Sequence, residues 1–158
     1  MGPVGPIEFD VTGIPIAQPR PRVVMSKGRV HAYSHPGDHP VSAWRSSITA
    51  ECMRVCLGKT YFTKNTPICV TLSFRFPGGE IGEYHTCRPD IDNLAKAVLD
   101  ALNDSRLWAD DSQVSMLCVV KRRCRDEERP GVHIMVRDLS QTFDIPQNDT
   151  QPTGGVTQ

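Results

Sequence analysis

Pro67-Ile68-Cys69-Val70-Thr71-Leu72-Ser73-Phe74-Arg75-Phe76 is the clearest strand of the chain, and Ile91-Asp92-Asn93-Leu94-Ala95-Lys96-Ala97-Val98-Leu99-Asp100-Ala101-Leu102-Asn103 reads as the second of two helices. In the first stretch Ile68, Val70, Leu72, Phe74 and Phe76 alternate with Cys69, Thr71, Ser73 and Arg75. A period of two sends one set to a core and the other away from it. In the second, Ile91, Leu94, Ala95, Val98, Ala101 and Leu102 recur at helical spacing and make one apolar stripe. A one-sided strand beside a one-sided helix predicts a sheet with a helix lying across it.

Working outward, Ile7 to Ile14 reads as a strand through Ile7, Phe9 and Val11, ended by Gly13 and Pro15. Val23 to Tyr33 reads as a hairpin turning at Lys27-Gly28. Val41 to Leu57 reads as a helix with Trp44, Ile48, Cys52 and Val55 at helical spacing, ended by Gly58. Val114 to Lys121 and Val132 to Val136 read as a closing pair of strands. The expected class is α+β: a small mixed sheet packed with two main helices in a single domain, residues 1–138. Residues 139–158 are polar and rich in turn formers, and a disordered tail is expected there. No internal repeat is present.

A length of 158 residues suits one domain with a real core, and 23% charged residues suit a globular chain. No apolar run approaches the roughly 20 residues that cross a bilayer, and no secretory signal is read, so a cytoplasmic setting is expected. Net charge is zero, with 18 basic and 18 acidic residues. The stretch from Ser140 onward holds Asp144 and Asp149 and no Lys or Arg, so the rest balances at 18 − 16 = +2. That total argues little about partners; the local clusters matter more. None of the six cysteines forms a C-x-x-C pair, and buried reduced thiols are the expectation.

The chemistry concentrates at the start of the second helix. Asp90 follows Pro89 where an N-cap is expected, and Asp92 and Lys96 share one flank of the helix off its apolar stripe. Alone, each part is accounted for by a cap or a surface ion pair. A second acidic element, Trp108-Ala109-Asp110-Asp111, lies just beyond the helix end, where an Asx-turn is the bland account. Clustered carboxylates repel one another, and hard divalent cations such as Mg²⁺ take oxygen ligands together with waters and phosphate oxygens. A nearby lysine can neutralise charge on a phosphate. Asp90, Asp92, Asp111 and Lys96 supply those parts.

Basic segments accompany them. Arg20 and Arg22 sit on a Pro-stiffened arm, Lys27 and Arg29 on the turn that follows, and Lys121-Arg122-Arg123 near the end of a strand. Alternation sends Lys121 and Arg123 to one face and Arg122 to the other. His31, His35 and His39 are four apart, but Pro36 and Pro40 break the segment, and a loop is expected rather than a zinc site. His85, near the acidic motif, is expected to be a surface histidine.

Arg88 to Leu102 reads R-x-D-[IL]-D-N-L-x-K-A-x-x-D-A-L, and Trp108 to Val114 reads W-x-D-D-x-Q-V. In these two blocks and their spacing the chain resembles the RusA family of Holliday junction resolvases, common in phages and prophages. The likeness runs loosely from Ile7 to Val136, including Gly13-Ile14-Pro15 and Pro19-Arg20-Pro21-Arg22. It implies a homodimeric, Mg²⁺-dependent endonuclease, with Mn²⁺ as a substitute metal, that makes paired symmetric nicks in four-way DNA junctions during recombination and repair. The metal ligands would be Asp90, Asp92 and Asp111, with Lys96 the essential lysine. Apart from the resemblance, the basic residues Arg20, Arg22, Lys27, Arg29, Arg88, Lys121 and Arg123 are the expected DNA contacts. The segment Gln18 to His39 is longer and richer in histidine than in the family's best-known form, which bears on substrate. Two other readings stand beside this one: a non-catalytic branched-DNA-binding protein with dispensable acids, and a metal nuclease of the same fold acting on other nucleic acids.

Overall fold

In the computed structural model, which describes residues 5–20, 22–26, 29–33, 39–78 and 82–141, the elements in chain order are β1 (Ile7–Thr12), β2 (Arg22–Ser26), β3 (Arg29–Tyr33), α1 (Pro40–Cys56), β4 (Ile68–Phe76), α2 (Ile91–Asp104), β5 (Val114–Arg123) and β6 (Gly131–Asp138). A single 3-10 turn, Asp111–Gln113, leads into β5. β2 and β3 form their own two-stranded antiparallel ribbon. The other four strands form one sheet in the order β1-β6-β4-β5.

β4 is central because both its faces and both its edges are satisfied. Ile68, Val70, Leu72 and Phe74 are fully buried, as the alternation predicts. They meet Ile48 and Cys52 of α1, Leu94, Val98 and Leu102 of α2, and Val132, Ile134 and Val136 of β6 in one core. Each buried Leu, Val or Phe contributes roughly 1.5–3 kcal/mol of apolar transfer. The alternate face bears cross-strand polar contacts: Arg75 pairs with Asp10 at 2.6 Å, and the His133 ring nitrogens lie 3.0 Å from Asp10 and Glu8.

β4 runs parallel to β5 and antiparallel to β6, so the sheet is mixed, as expected. Parallel neighbours need a crossover connection, and α2 supplies it. The expected closing pair is corrected here. β5 and β6 flank β4 on opposite sides, and β6 pairs with β1 instead of with β5. The pairing partner is a long-range choice that strand periodicity does not encode.

Three smaller corrections follow from position. Ile91 begins α2 but is 41% exposed, although it belongs to the apolar stripe. Cys118 is exposed, since β5 is an edge strand, and Cys87 is exposed as well; Cys52, Cys56 and Cys69 are buried, and all six thiols are free. α1 ends with Leu57 in the left-handed region at φ 51°, one residue before the expected Gly58 stop. Among the described residues, no helix is long and apolar enough to cross a membrane. The expected tail lies almost wholly outside the described residues, as do Lys27 and His35.

Candidate active site

Asp90 stands in the N-cap position of α2, with an extended backbone at φ −69° and ψ 142°. Its main-chain carbonyl accepts from Leu94 N at 3.1 Å, but its side chain makes no capping bond. The carboxylate therefore remains outside the helix, one turn-edge from Asp92. Arg20 takes up both. Its Nη2 lies 3.6 Å from Asp90 Oδ2 and 3.3 Å from Asp92 Oδ2. All three side chains are more than half exposed, at 69%, 55% and 64% respectively, so these are solvent-screened contacts. The arm after β1 brings Arg20 there: Gln18 N donates to Asn93 O at 2.9 Å, pinning the arm to the first turn of α2.

One turn further on, Lys96 pairs with Asp100 at 3.7 Å. The expected Asp92–Lys96 surface pair is not the one formed; Arg20 holds Asp92, and Lys96 turns the other way along the helix. Asp100, which the sequence reading did not single out, also receives Arg45 from α1 at 3.8 Å. Its spacing of four from Lys96 was a usable signal. Asp92, Lys96, Leu99 and Asp100 line one flank of a cleft of about 280 Å³, with Asp111, Val114 and Leu117 opposite.

The turn before β5 is built differently. Asp110 caps it, accepting from Ser112 N at 2.9 Å, and hydrogen bonds from Ser112 hold its carboxyl below the usual carboxylate range. Gln113 closes the box: its Oε1 accepts from Ala109 N at 3.0 Å and Asp110 N at 2.9 Å. Its Nε2 donates to Thr63 O and Thr66 O at 2.8 and 3.1 Å. Gln113 is buried, and Trp108 beside it donates Nε1 to Asn103 Oδ1 at 3.1 Å. The turn is thus locked to the core, and Asp111, its first residue, lines the cleft. Gln113 was missed as a positioning group, although D-x-x-Q is the sequence mark of a capping box.

Asp90 and Asp92 thus meet around Arg20, and Asp92, Lys96 and Asp111 share a cleft. The three carboxylates are not gathered into one cluster; among the described residues no three His, Cys, Asp or Glu side chains are grouped to hold a metal. The donor set still fits a divalent cation. Mg²⁺ takes one or two carboxylates and keeps the rest of its shell for water and substrate phosphate. Asp90 and Asp92 offer exposed oxygen donors, and a cation, the Arg20 guanidinium, already stands between them.

The basic residues separate into three groups. Arg20 and Arg88 line an open cleft of about 760 Å³ with Gln18, His39, Asp90 and Asn93. Arg22 and Arg29 begin the two strands of the β2–β3 ribbon, facing Tyr33 and Ser26 in its register. The cluster at the end of β5 has other partners. Lys121 Nζ donates to the carbonyls of Cys87 and Pro89 at 2.8 and 2.7 Å. Arg122 grips Glu128 through two bonds of 2.6 and 2.8 Å, and Arg125 reaches Glu83 at 2.7 Å. Arg123, on the Lys121 side of the alternation, has its Nε buried. His39 caps α1, its Nδ1 accepting from Val41 N at 3.1 Å. His85 is half-buried, stacked on Phe76 with ring centroids 4.2 Å apart, and its Nε2 lies 3.2 Å from Arg88 O.

Comparison with known proteins gives a family match and two similar proteins. The family model described as "Endodeoxyribonuclease RusA" matches residues 12–137. A Lactococcus phage r1t protein, "Crossover junction endodeoxyribonuclease rusA", is 28% identical over 113 residues, covering 70% of this chain and 82% of the relative. The Bacillus subtilis (strain 168) protein YqaN, described as uncharacterized, is 32% identical over 146 residues, covering 85% of this chain and 97% of the relative.

Proposed function

This chain belongs to the RusA endodeoxyribonuclease family and is a nuclease, and we propose that it cuts four-way DNA junctions with a divalent cation, Mg²⁺ foremost, held at Asp90 and Asp92. The name of the phage relative supports the junction as substrate. The observation that carries the metal reading is the Arg20 guanidinium between two exposed carboxylates, neither of which is used to cap the helix. Asp111, held by the capped turn along the same cleft as Asp92, is the third proposed ligand.

A divalent ion in such a place supplies an activated water and stabilises charge on the scissile phosphate. The protein's own groups do the rest. Arg20 and Arg88, at the mouth of the cleft beside Asp90, hold the phosphate backbone in register. On substrate binding Arg20 exchanges its carboxylate partners for a phosphate, which leaves Asp90 and Asp92 to the metal. Lys96, four residues after Asp92 on the same flank, meets the phosphate at which charge develops. The buried Gln113 and the Asp110 cap keep Asp111 from drifting when the cleft is filled. A homodimer belongs to this reading, because two equivalent strands of a junction call for two equivalent sites.

Replacing Asp92 with Asn keeps the shape and removes the charge. Cleavage of a synthetic four-way junction in Mg²⁺ should fall by about 100-fold or more, with binding retained. Linear duplex, a Y-fork and a flap run alongside should be cut poorly by the wild type. Wild-type rates from Asp92→Asn would sink the mechanism, and equal cutting of all four substrates would sink the junction assignment.

A further inference from the structure

Resting on the metal-site reading above, we infer that Lys121 is a positioning residue for the acidic site, not a DNA contact: its ammonium holds the turn that carries Asp90 and Asp92. β5 meets the chain coming back from β4 at this point. Arg123 N donates to Glu83 O at 2.9 Å and His85 N to Lys121 O at 3.1 Å, and Tyr84 bridges Arg122. Residues 83–85 therefore run as a short antiparallel strip along the edge of β5. Beyond His85 the chain leaves this edge and turns through Cys87, Arg88 and Pro89 into α2.

The Lys121 ammonium spans that turn. It donates to Cys87 O at 2.8 Å and to Pro89 O at 2.7 Å. These are short, charge-assisted bonds. A lysine at a strand end normally extends its head into water; here the head is turned onto two main-chain carbonyls. The Pro89 carbonyl belongs to the peptide unit whose nitrogen is that of Asp90. Fixing it fixes the plane from which Asp90 and the first turn of α2 depart. His85 adds one contact to the same turn, at Arg88 O. Asp90 has no side-chain cap bond of its own, so its placement depends on this backbone support. An ammonium engaged in this way is also withdrawn from the phosphate backbone. Groups that orient metal ligands without touching the metal typically change its affinity by about 10–100-fold when removed.

The test uses the full-length protein without DNA and reads Mn²⁺ binding by the loss of the free-ion electron paramagnetic resonance signal. Wild type should bind Mn²⁺, and Asp92→Asn should lose it. Lys121→Met, which keeps the alkyl stem, should weaken Mn²⁺ binding by about 10-fold or more, while affinity for a four-way junction in EDTA stays at the wild-type value. Lys121→Arg, with paired donors, should restore Mn²⁺ binding. If Lys121→Met fails to fold, Lys121→Gln, whose amide still donates to one carbonyl, should show an intermediate loss. Wild-type Mn²⁺ affinity in the folded Met or Gln variant overturns the inference, as does weakened junction binding in EDTA with Mn²⁺ affinity intact, which is the signature of a phosphate contact. Wild-type protein whose Mn²⁺ binding is absent or indifferent to Asp92→Asn overturns the metal-site reading, and the inference with it.

Discussion

The start of α2 and the 3-10 turn before β5 are both acidic helix starts, each with an aspartate in the cap position and a second aspartate close behind. At the turn, Asp110 is spent on folding: it accepts from Ser112 N, and Gln113 returns two bonds to the main chain. At α2, Asp90 occupies the same cap position with no capping bond, and its carboxylate faces Arg20 along with that of Asp92. The same residue type at the same structural position can thus be bound into the backbone or left to a side chain from elsewhere in the chain. What decides is whether a buried partner stands nearby. Gln113 is buried and tied to Thr63 and Thr66, so the turn closes on itself. The first turn of α2 is solvent-facing and borrows its support from Lys121 and the arm at Gln18.

The strongest way to break this comparison is Asp90→Ala. Junction cleavage should drop by about 100-fold or more, while the melting temperature stays at the wild-type value because no capping bond is lost. A variant that unfolds early and still cuts when folded would reverse the assignment. Asp110→Ala should do the opposite. Losing a working cap destabilises the turn it closes, so the melting temperature should fall by a few degrees. Its cleavage rate, measured well below that temperature, should stay near wild type; a collapse in rate without a stability change would place Asp110, too, in the site.

A smaller effect sharpens the contrast with a carboxylate held by a guanidinium and a main-chain N–H. The Arg122 side chain, helped by Arg125 N, lowers the Glu128 pKa from 4.5 to about 2. A depressed carboxylate stabilises the fold above its unfolded pKa and loses that contribution as pH falls through its folded one. The stability difference between wild type and Glu128→Gln should therefore be constant above pH 4.5 and vanish toward pH 2, as read by urea denaturation across that range. A difference that persists unchanged to pH 2 would mean that the Arg122 pair does not lower this pKa.

Much of the frame is legible in residue order. The alternation in β4 and the stripe in α2 identify which side chains enter the core, and Ile68, Val70, Leu72, Phe74, Leu94, Val98 and Leu102 are all buried there. Local periodicity carries that information because a strand and a helix each repeat with their own period. The D-x-D-N-x-x-K and W-x-D-D blocks fall at helix starts for a similar reason, because short-range geometry dominates there. Cys118 shows the limit. It lies in an apolar strand pattern and is nevertheless exposed, because β5 is at the edge of the sheet, and being at an edge is a property of strand order.

By itself, then, the sequence determined the elements, the apolar faces and the identity of the acidic and basic residues. Each of these follows from spacing along a few turns of chain. Only the tertiary structure decided that β6 inserts between β1 and β4, that Arg20 closes over Asp90 and Asp92, that Lys96 pairs with Asp100, and that Lys121 turns inward to Cys87 and Pro89. Most of these are choices among partners far apart in sequence. A charged head group goes to whichever carboxylate, carbonyl or water the packed backbone brings within reach, and that geometry exists only once the sheet has formed.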